Sequence, residues 1–307
     1  MNKKTYFYID DVIWTLRDLT REKPESLFDN PFLKMLKEAH NKYGMKVQLN
    51  LFWRTSYFYG MDEFSLADVT DAYKAEWEAA SDWLKLSFHA KEEFPDYPHL
   101  NAKYEDVYKL FKDTQREIFR FAGEKSFAYG ICPHWMPISR EGILALRDCG
   151  AKITNVTVGE VSEYNGDPAS LPYGHAMRLL NNRQPEAKVF TRNSRDTAIA
   201  NSICAYNHLT TEQVEKSKGL KTIYDEETGM HFKEFALFAL NLIPYDEIES
   251  DFAPHMNEEF FGFGTHEQYF YPDYLAYQPH YGPSILKACE IVAKNGFEFL
   301  FIDELVK

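Results

Sequence analysis

The feature that most restricts this chain is its alternation of short apolar runs with longer amphipathic ones. Residues 5–9, 46–53, 83–88, 126–132, 151–158, 260–265 and 297–302 read as strands. Residues 31–43, 65–82, 104–121, 139–149 and 283–294 read as helices. In the first of these Phe32, Met35, Leu36 and Ala39 share a face and Gly44 closes the end; Ser65 is a candidate N-cap of the second. Strand–helix alternation requires parallel pairing through helical crossovers. Seven such strands predict an α/β fold, a closed or nearly closed barrel. A doubly wound open sheet is the other solution, but it usually carries a glycine-rich phosphate loop after strand one. Asp10-Asp11 stands there instead. Gly262-Phe263-Gly264 is only a fragment of such a loop and precedes no clear helix.

The interval 159–259, between strands five and six, is far longer than an ordinary connection. It holds a basic piece (Arg178, Arg183, Lys188, Arg192, Arg195) and a helical pattern at 211–217. The expectation is a single barrel domain over 1–307, with 159–259 as an inserted region capping the barrel mouth.

Composition narrows the partners. A net charge of −13 argues against nucleic acid or an anionic membrane as the main partner, because both require basic patches. Aromatic residues make up 16%, enough to build core and to offer stacking platforms to sugar rings. The N-terminus develops no apolar signal core, and no stretch has the length of a transmembrane helix. The four cysteines (132, 149, 204 and 289) form no CxxC pair, which suits a reducing compartment; the expected location is cytoplasmic.

In parallel barrels catalytic groups gather at the C-terminal ends of the strands. Those ends carry Asp10 and Asp11, Trp53 and Arg54, His89 and Glu93, His134 and Trp135, His266 and Glu267, and Asp303 and Glu304. Two adjacent aspartates repel unless solvated or offset by a cation, which a divalent ion would provide. His89 and Glu93, four apart, share a face on a helical turn, as a two-point metal clamp requires. Each group also has a plainer reading. Asp10-Asp11 suits a solvated strand end or a helix cap, and Glu93 could pair with Lys91. His134 and His266 suit structural histidines, and Asp303-Glu304 a solvated terminus. His40, His99, His208, His255 and His280 read as surface; His175 and His231 fall in the insertion.

The order of these motifs resembles the polysaccharide deacetylase (NodB-homology) family of carbohydrate esterases. The resemblance rests on Tyr8-Ile9-Asp10-Asp11, on WLKLSFHAKEE, on Cys132-Pro133-His134-Trp135, on Phe263-Gly264-Thr265-His266 and on ILKACEIVAKNGFEFLFIDEL, and it spans 1–158 and 260–307. It implies a distorted (β/α)7 barrel and a metal-dependent amide or ester hydrolysis, with Asp10 as general base, Asp11 and His89 as metal ligands, and His266 as general acid. Two departures stand out. Glu93 replaces the second metal histidine, giving an Asp11–His89–Glu93 set still suited to a divalent ion, zinc foremost. The motif arginine is missing at Cys132-Pro133; Arg54 or His134 is the candidate substitute, His134 even as a ligand. Trp53, Trp135 and Tyr269 are the candidate walls for an oligosaccharide or small-molecule substrate.

Two rival readings accompany this one. Asp10 with Glu267 or Asp303 could form the carboxylate pair of a glycosidase. A non-catalytic carbohydrate-binding protein with a degenerate metal site would also explain the lost arginine and histidine.

Overall fold

The computed structural model describes residues 3–55, 63–94, 97–158 and 205–306. His175, Cys204 and the basic piece lie outside the described residues. The strands are β1 (Lys3–Val12), β2 (Val47–Phe52), β3 (Leu84–Ala90), β4 (Gly130–Ile131), β5 (Ile153–Asn155), β6 (Thr157–Val158), β7 (His208–Leu209), β8 (Ile223–Asp225), β9 (Met230–Lys233), β10 (Phe238–Ala239), β11 (Phe260–His266) and β12 (Phe297–Phe299). The helices are α1 (Trp14–Glu22), α2 (Pro31–Tyr43), α3 (Lys74–Ala80), α4 (Tyr104–Phe121), α5 (Arg140–Asp148), α6 (Thr211–Lys216), α7 (Ile248–Phe252) and α8 (Tyr281–Lys294).

The main sheet is parallel, in the order β10-β11-β1-β2-β3. β11 pairs with β1 from Lys4 to Asp10. A strand has two edges, so β12, which pairs with Lys3–Thr5, and β2, which pairs from Tyr8 onward, share the other edge. A second sheet runs β4-β5-β9-β8, parallel except for the antiparallel β8–β9 pair. Ala128 N–H donates to Leu86 O at 2.9 Å beside a parallel bridge from Leu86 to Phe127, joining β3 to the chain entering β4.

Among the described residues there are strands beyond the seven expected. β9 and β10 both fall within the segment read as an insertion, yet they pair with β5 and β11. Their short runs, MHFK and FA, are too brief for periodicity to mark them. Residues 65–82 are also not one helix. Ser65 and Asp68 close a reciprocal capping box around a 3-10 turn, extended Val69 ends it, and α3 begins only at Lys74.

Burial on both faces explains the apolar character of β1. Phe7 and Ile9 join the large core that includes Leu33, Leu36 and Ala39 of α2 and Phe111 and Ile118 of α4. Tyr6 and Tyr8 point the other way, into a smaller cluster with Cys132, Ile153, Phe235 and Ile302. The two glycines of Gly262-Phe263-Gly264 serve this packing. A Cβ on Gly262 would lie 1.9 Å from Phe235 O, and one on Gly264 would lie 2.3 Å from the Tyr8 ring. Their role is close approach of backbone and ring, not phosphate binding.

Two of the residues read as surface or solvated are held by the fold: His40 is half-buried and Asp303 is buried. His40 stacks on Trp83, and its Nδ1–H donates to Met45 O at 2.8 Å. Asp303 accepts from Tyr129 N–H at 3.0 Å, whereas its neighbour Glu304 is exposed. Cys132, Cys149 and Cys289 are buried free thiols. Among the described residues, no helix is long and apolar enough to cross a membrane.

Candidate metal centre

Asp10 and Asp11 stand at the end of β1, where successive side chains should face opposite ways. The register between β1 and β2 shifts between Ile9 and Val12, and Asp11 has φ 64. This bulge turns the second carboxylate back toward the site that the first one faces. A left-handed residue other than glycine is costly, and such strain persists only where the surroundings over-determine it.

Asp11 Oδ1 lies 3.1 Å from His89 Nε2 and 3.3 Å from His134 Nδ1. The two ring nitrogens are 3.0 Å apart. All three residues are buried. The outer nitrogens decide the tautomers. His89 Nδ1 is 2.6 Å from Cys132 O, and His134 Nε2 is 3.2 Å from Glu93 O. Carbonyls only accept, so both outer nitrogens carry hydrogen. In the neutral rings the inner nitrogens are then bare, and three lone pairs converge on one point. Asp11 Oδ1 makes no hydrogen bond of acceptable geometry despite its burial. Such a cluster requires a proton or a cation at its centre. Ligand atoms on a tetrahedral zinc, with bonds of about 2.0–2.1 Å, stand about 3.3 Å apart. The orphaned oxygen, the two fixed tautomers and the spacing all fit a divalent ion.

This set differs from the one expected. His134, expected as a substitute for the motif arginine or as a further ligand, stands with Asp11 and His89, while Glu93 lies outside the cluster. Glu93 Oε1 is 3.9 Å from His134 Nε2, on the outer side of that ring. The reason is local: β3 is still extended at His89, so Glu93 does not share a helical face with it.

Asp10 sits beside this group. Its Oδ1 accepts from Asn50 Nδ2 at 2.6 Å; Gln48 Nε2 in turn donates to Asn50 Oδ1 at 2.7 Å and to Gly130 O at 2.8 Å. Cys132 Sγ is 3.8 Å from Asp10 Oδ2. Burial raises the Asp10 carboxyl above the usual range, against the pull of His89 and His266. Burial also acts to raise Asp11, but His134, His89 and His266 together hold it well below that range. The Cys132 thiol is pushed well up by burial and by Asp10 and Asp11, so it stays protonated and can donate.

His266 pairs in register with Asp10 across the β1–β11 edge. Its Nδ1–H donates to Asn241 Oδ1 at 3.0 Å, leaving Nε2 as the nitrogen that can meet a ligand. Trp135 and Tyr269 flank the site, their rings 5.8 Å from that of His134 and 6.2 Å from that of His266. Trp53 instead packs on the main core, and Arg54 is paired with Glu92 at 2.5 Å. His99, read as surface, is buried behind the centre. Its Nε2–H donates to His89 O at 2.9 Å, and burial lowers its pKa to about 4. Asn50, Asn241, Gln268 and His99 escape sequence reasoning. A signal existed only for Gln48 and Asn50, whose alternation in VQLNLF marks one polar face of a buried strand.

No protein-family model matches the chain, and no curated protein matches it. Among solved structures it is similar to the 4-alpha-glucanotransferase of Thermococcus litoralis, with a TM-score of 0.55 and 10% identity. That likeness covers 100% of this chain and 40% of the glucanotransferase, so this chain spans less than half of that protein. It is one of fold. The chain is also similar to a family 4 acetyl xylan esterase from Clostridium thermocellum in complex with a cobalt ion, at TM-score 0.40 and 11% identity, over 99% of this chain and 90% of that one. A third similar structure is a mutant CE4 family pseudoenzyme with restored enzymatic activity, at TM-score 0.37 and 10% identity, over 86% of this chain and 66% of that one.

Proposed function

We propose that this chain is a metal-dependent hydrolase that removes an acyl group from an amino sugar or cleaves a related C–N bond. The distorted (β/α)7 barrel and the deacetylase-like order of motifs belong to the same reading. One observation carries it: Asp11, His89 and His134 turn three lone pairs to a single buried point. These three residues would hold the ion, with zinc the first candidate. When bound, a divalent ion polarises a carbonyl and lowers the pKa of a water from about 16 toward about 7.

The remaining chemistry belongs to the chain. Asn50 fixes Asp10 Oδ1, and burial raises the carboxyl; both suit Asp10 to take a proton from a water molecule. His266, oriented by Asn241, would deliver a proton from Nε2 to the departing nitrogen. Trp135 and Tyr269 would flank the sugar ring and exclude water. The missing arginine has no substitute in Arg54, which is held by Glu92; the Asn50–Gln48 pair orients Asp10 in its place. The glycosidase alternative fares worse, because both candidate partner carboxylates are engaged. Glu267 accepts three backbone N–H groups of α1 and its N-cap, and Asp303 accepts one from Tyr129.

The test is elemental content together with turnover. Purified protein is expected to hold about one divalent ion per chain and to release acetate from N-acetylated amino-sugar oligomers, with both lost on chelation and restored by Zn²⁺ or Co²⁺. Hydrolysis that persists unchanged in the ion-free protein would overturn the proposal.

A further inference from the structure

Three consecutive residues, His266, Glu267 and Gln268, act on the segment that carries Asp10 and Asp11. They lie where β11 runs into a 3-10 turn (Glu267–Phe270). His266 stands opposite Asp10 in the sheet. Glu267 is fully buried and accepts from the backbone N–H of Ile13, Trp14 and Thr15 at 2.7, 2.8 and 2.8 Å. Gln268, also buried, donates from Nε2 to Asp11 Oδ2 at 2.9 Å and to Glu93 Oε2 at 3.3 Å. Ionised carboxylates only accept, so the amide orientation is determined: Nε2 faces them, and Oε1 is left buried with no hydrogen-bond partner.

Resting on the metal-site reading above, we infer that Glu267-Gln268 is a positioning clamp for the metal ligand Asp11. A carboxylate is free to turn and offer either oxygen. Gln268 engages Oδ2 and so leaves Oδ1 as the atom facing His89 and His134. The same amide reaches Glu93, whose backbone carbonyl accepts from His134 Nε2–H. One side chain thereby couples two of the three ligands. Glu267 holds the chain just beyond Asp11, where φ is 64, and keeps the bulge from relaxing. Gln268 touches neither the reacting centre nor the ion; it acts through Asp11.

The experiment is calorimetric titration of the full chain with Zn²⁺ and with Co²⁺, comparing wild type with Gln268→Met, which keeps the volume but loses the donors. The clamp predicts affinity weaker by about 10–100-fold, a changed Co²⁺ absorption spectrum and little change in the melting temperature of the ion-free protein. A merely structural glutamine would do the reverse: a lower melting temperature with affinity within about twofold of wild type, which overturns the inference and leaves the metal site standing. If wild type itself binds neither ion, the metal reading fails and takes the clamp with it. Should Gln268→Met not fold, Gln268→Asn, too short to reach Asp11, is titrated instead. In the wild type the Gln268 side-chain amide, followed by ¹⁵N NMR, is expected to resist exchange; rapid averaging in the Zn²⁺-loaded protein would also overturn the clamp.

Discussion

His89 Nε2 and His134 Nδ1 face each other 3.0 Å apart, and each ring's other nitrogen is committed to a backbone carbonyl. Neither can offer the other a proton without becoming charged. With Asp11 the pair forms a buried group whose geometry could hold a metal ion.

That relationship separates His134 from Glu93. His134→Ala is expected to weaken Zn²⁺ binding by more than about 100-fold, whereas Glu93→Gln, which keeps the backbone carbonyl that accepts from His134 and changes a carboxylate outside the cluster, is expected to keep it within about tenfold. Equilibrium titration measures both. Equal losses would return Glu93 to the ligand set.

Asp11 pays a conformational cost that can be measured apart from its chemistry. Its φ of 64 suits Asn or Gly. Asp11→Asn and Asp11→Gly are expected to fold with unchanged or raised ion-free stability while losing the ion. Asp11→Val, β-branched, is expected to lose a further 1–2 kcal/mol or so by denaturant titration.

Glu267 is a cap rather than a catalytic acid. Burial pushes its carboxyl up to about 7 against the hydrogen bonds from Ile13, Trp14 and Thr15. Glu267→Ala leaves those donors orphaned and is expected to cost about 3 kcal/mol or more in thermal unfolding. A fully stable but inactive variant would point back to the glycosidase reading.

The two glycines of β11 should respond differently. The obstacle at Gly262 is the Phe235 carbonyl, a backbone atom, and at Gly264 it is the Tyr8 ring. Gly262→Ala is expected to abolish the cooperative unfolding transition. Gly264→Ala is expected to be strongly destabilising and to be partly rescued by Tyr8→Ala, a coupling read from the double-mutant cycle.

Lys233 sets an alkaline response. Its ammonium is buried and donates to the carbonyls of Ser217, Gly219 and Lys221, and burial lowers its pKa to about 8 from the ordinary 10.5. Between those values the unfolded chain binds more protons than the folded one, so stability rises with pH there. Put the other way, the contribution is full above 10.5 and is lost as pH falls through about 8. Relative to Lys233→Met, the wild type is expected to gain up to about 3 kcal/mol across that window in denaturant titrations. A flat difference would place the ammonium in water.

What the sequence by itself determined was the alternation, and with it the parallel pairing and the end of the sheet at which chemistry collects. β1, β2, β3 and β11 are legible because a strand buried on both faces must be apolar throughout, and Asp10, Asp11, His89 and His266 stand out where those runs stop. Tertiary structure decided which of these groups meet. His134 rather than Glu93 joins Asp11 and His89 because tautomers and ring directions are set by the carbonyls of Cys132 and Glu93, far apart in sequence from the rings they fix or lying in another loop. The inward turn of Asp11 depends on a one-residue bulge, which no periodicity records. Gln268 and Asn241 are ordinary polar residues until the fold places a carboxylate or an imidazole within 3.0 Å of them. Local composition governs which elements form; convergence at a point is a property of three-dimensional packing, where a shift of one register position exchanges a buried ligand for an exposed side chain.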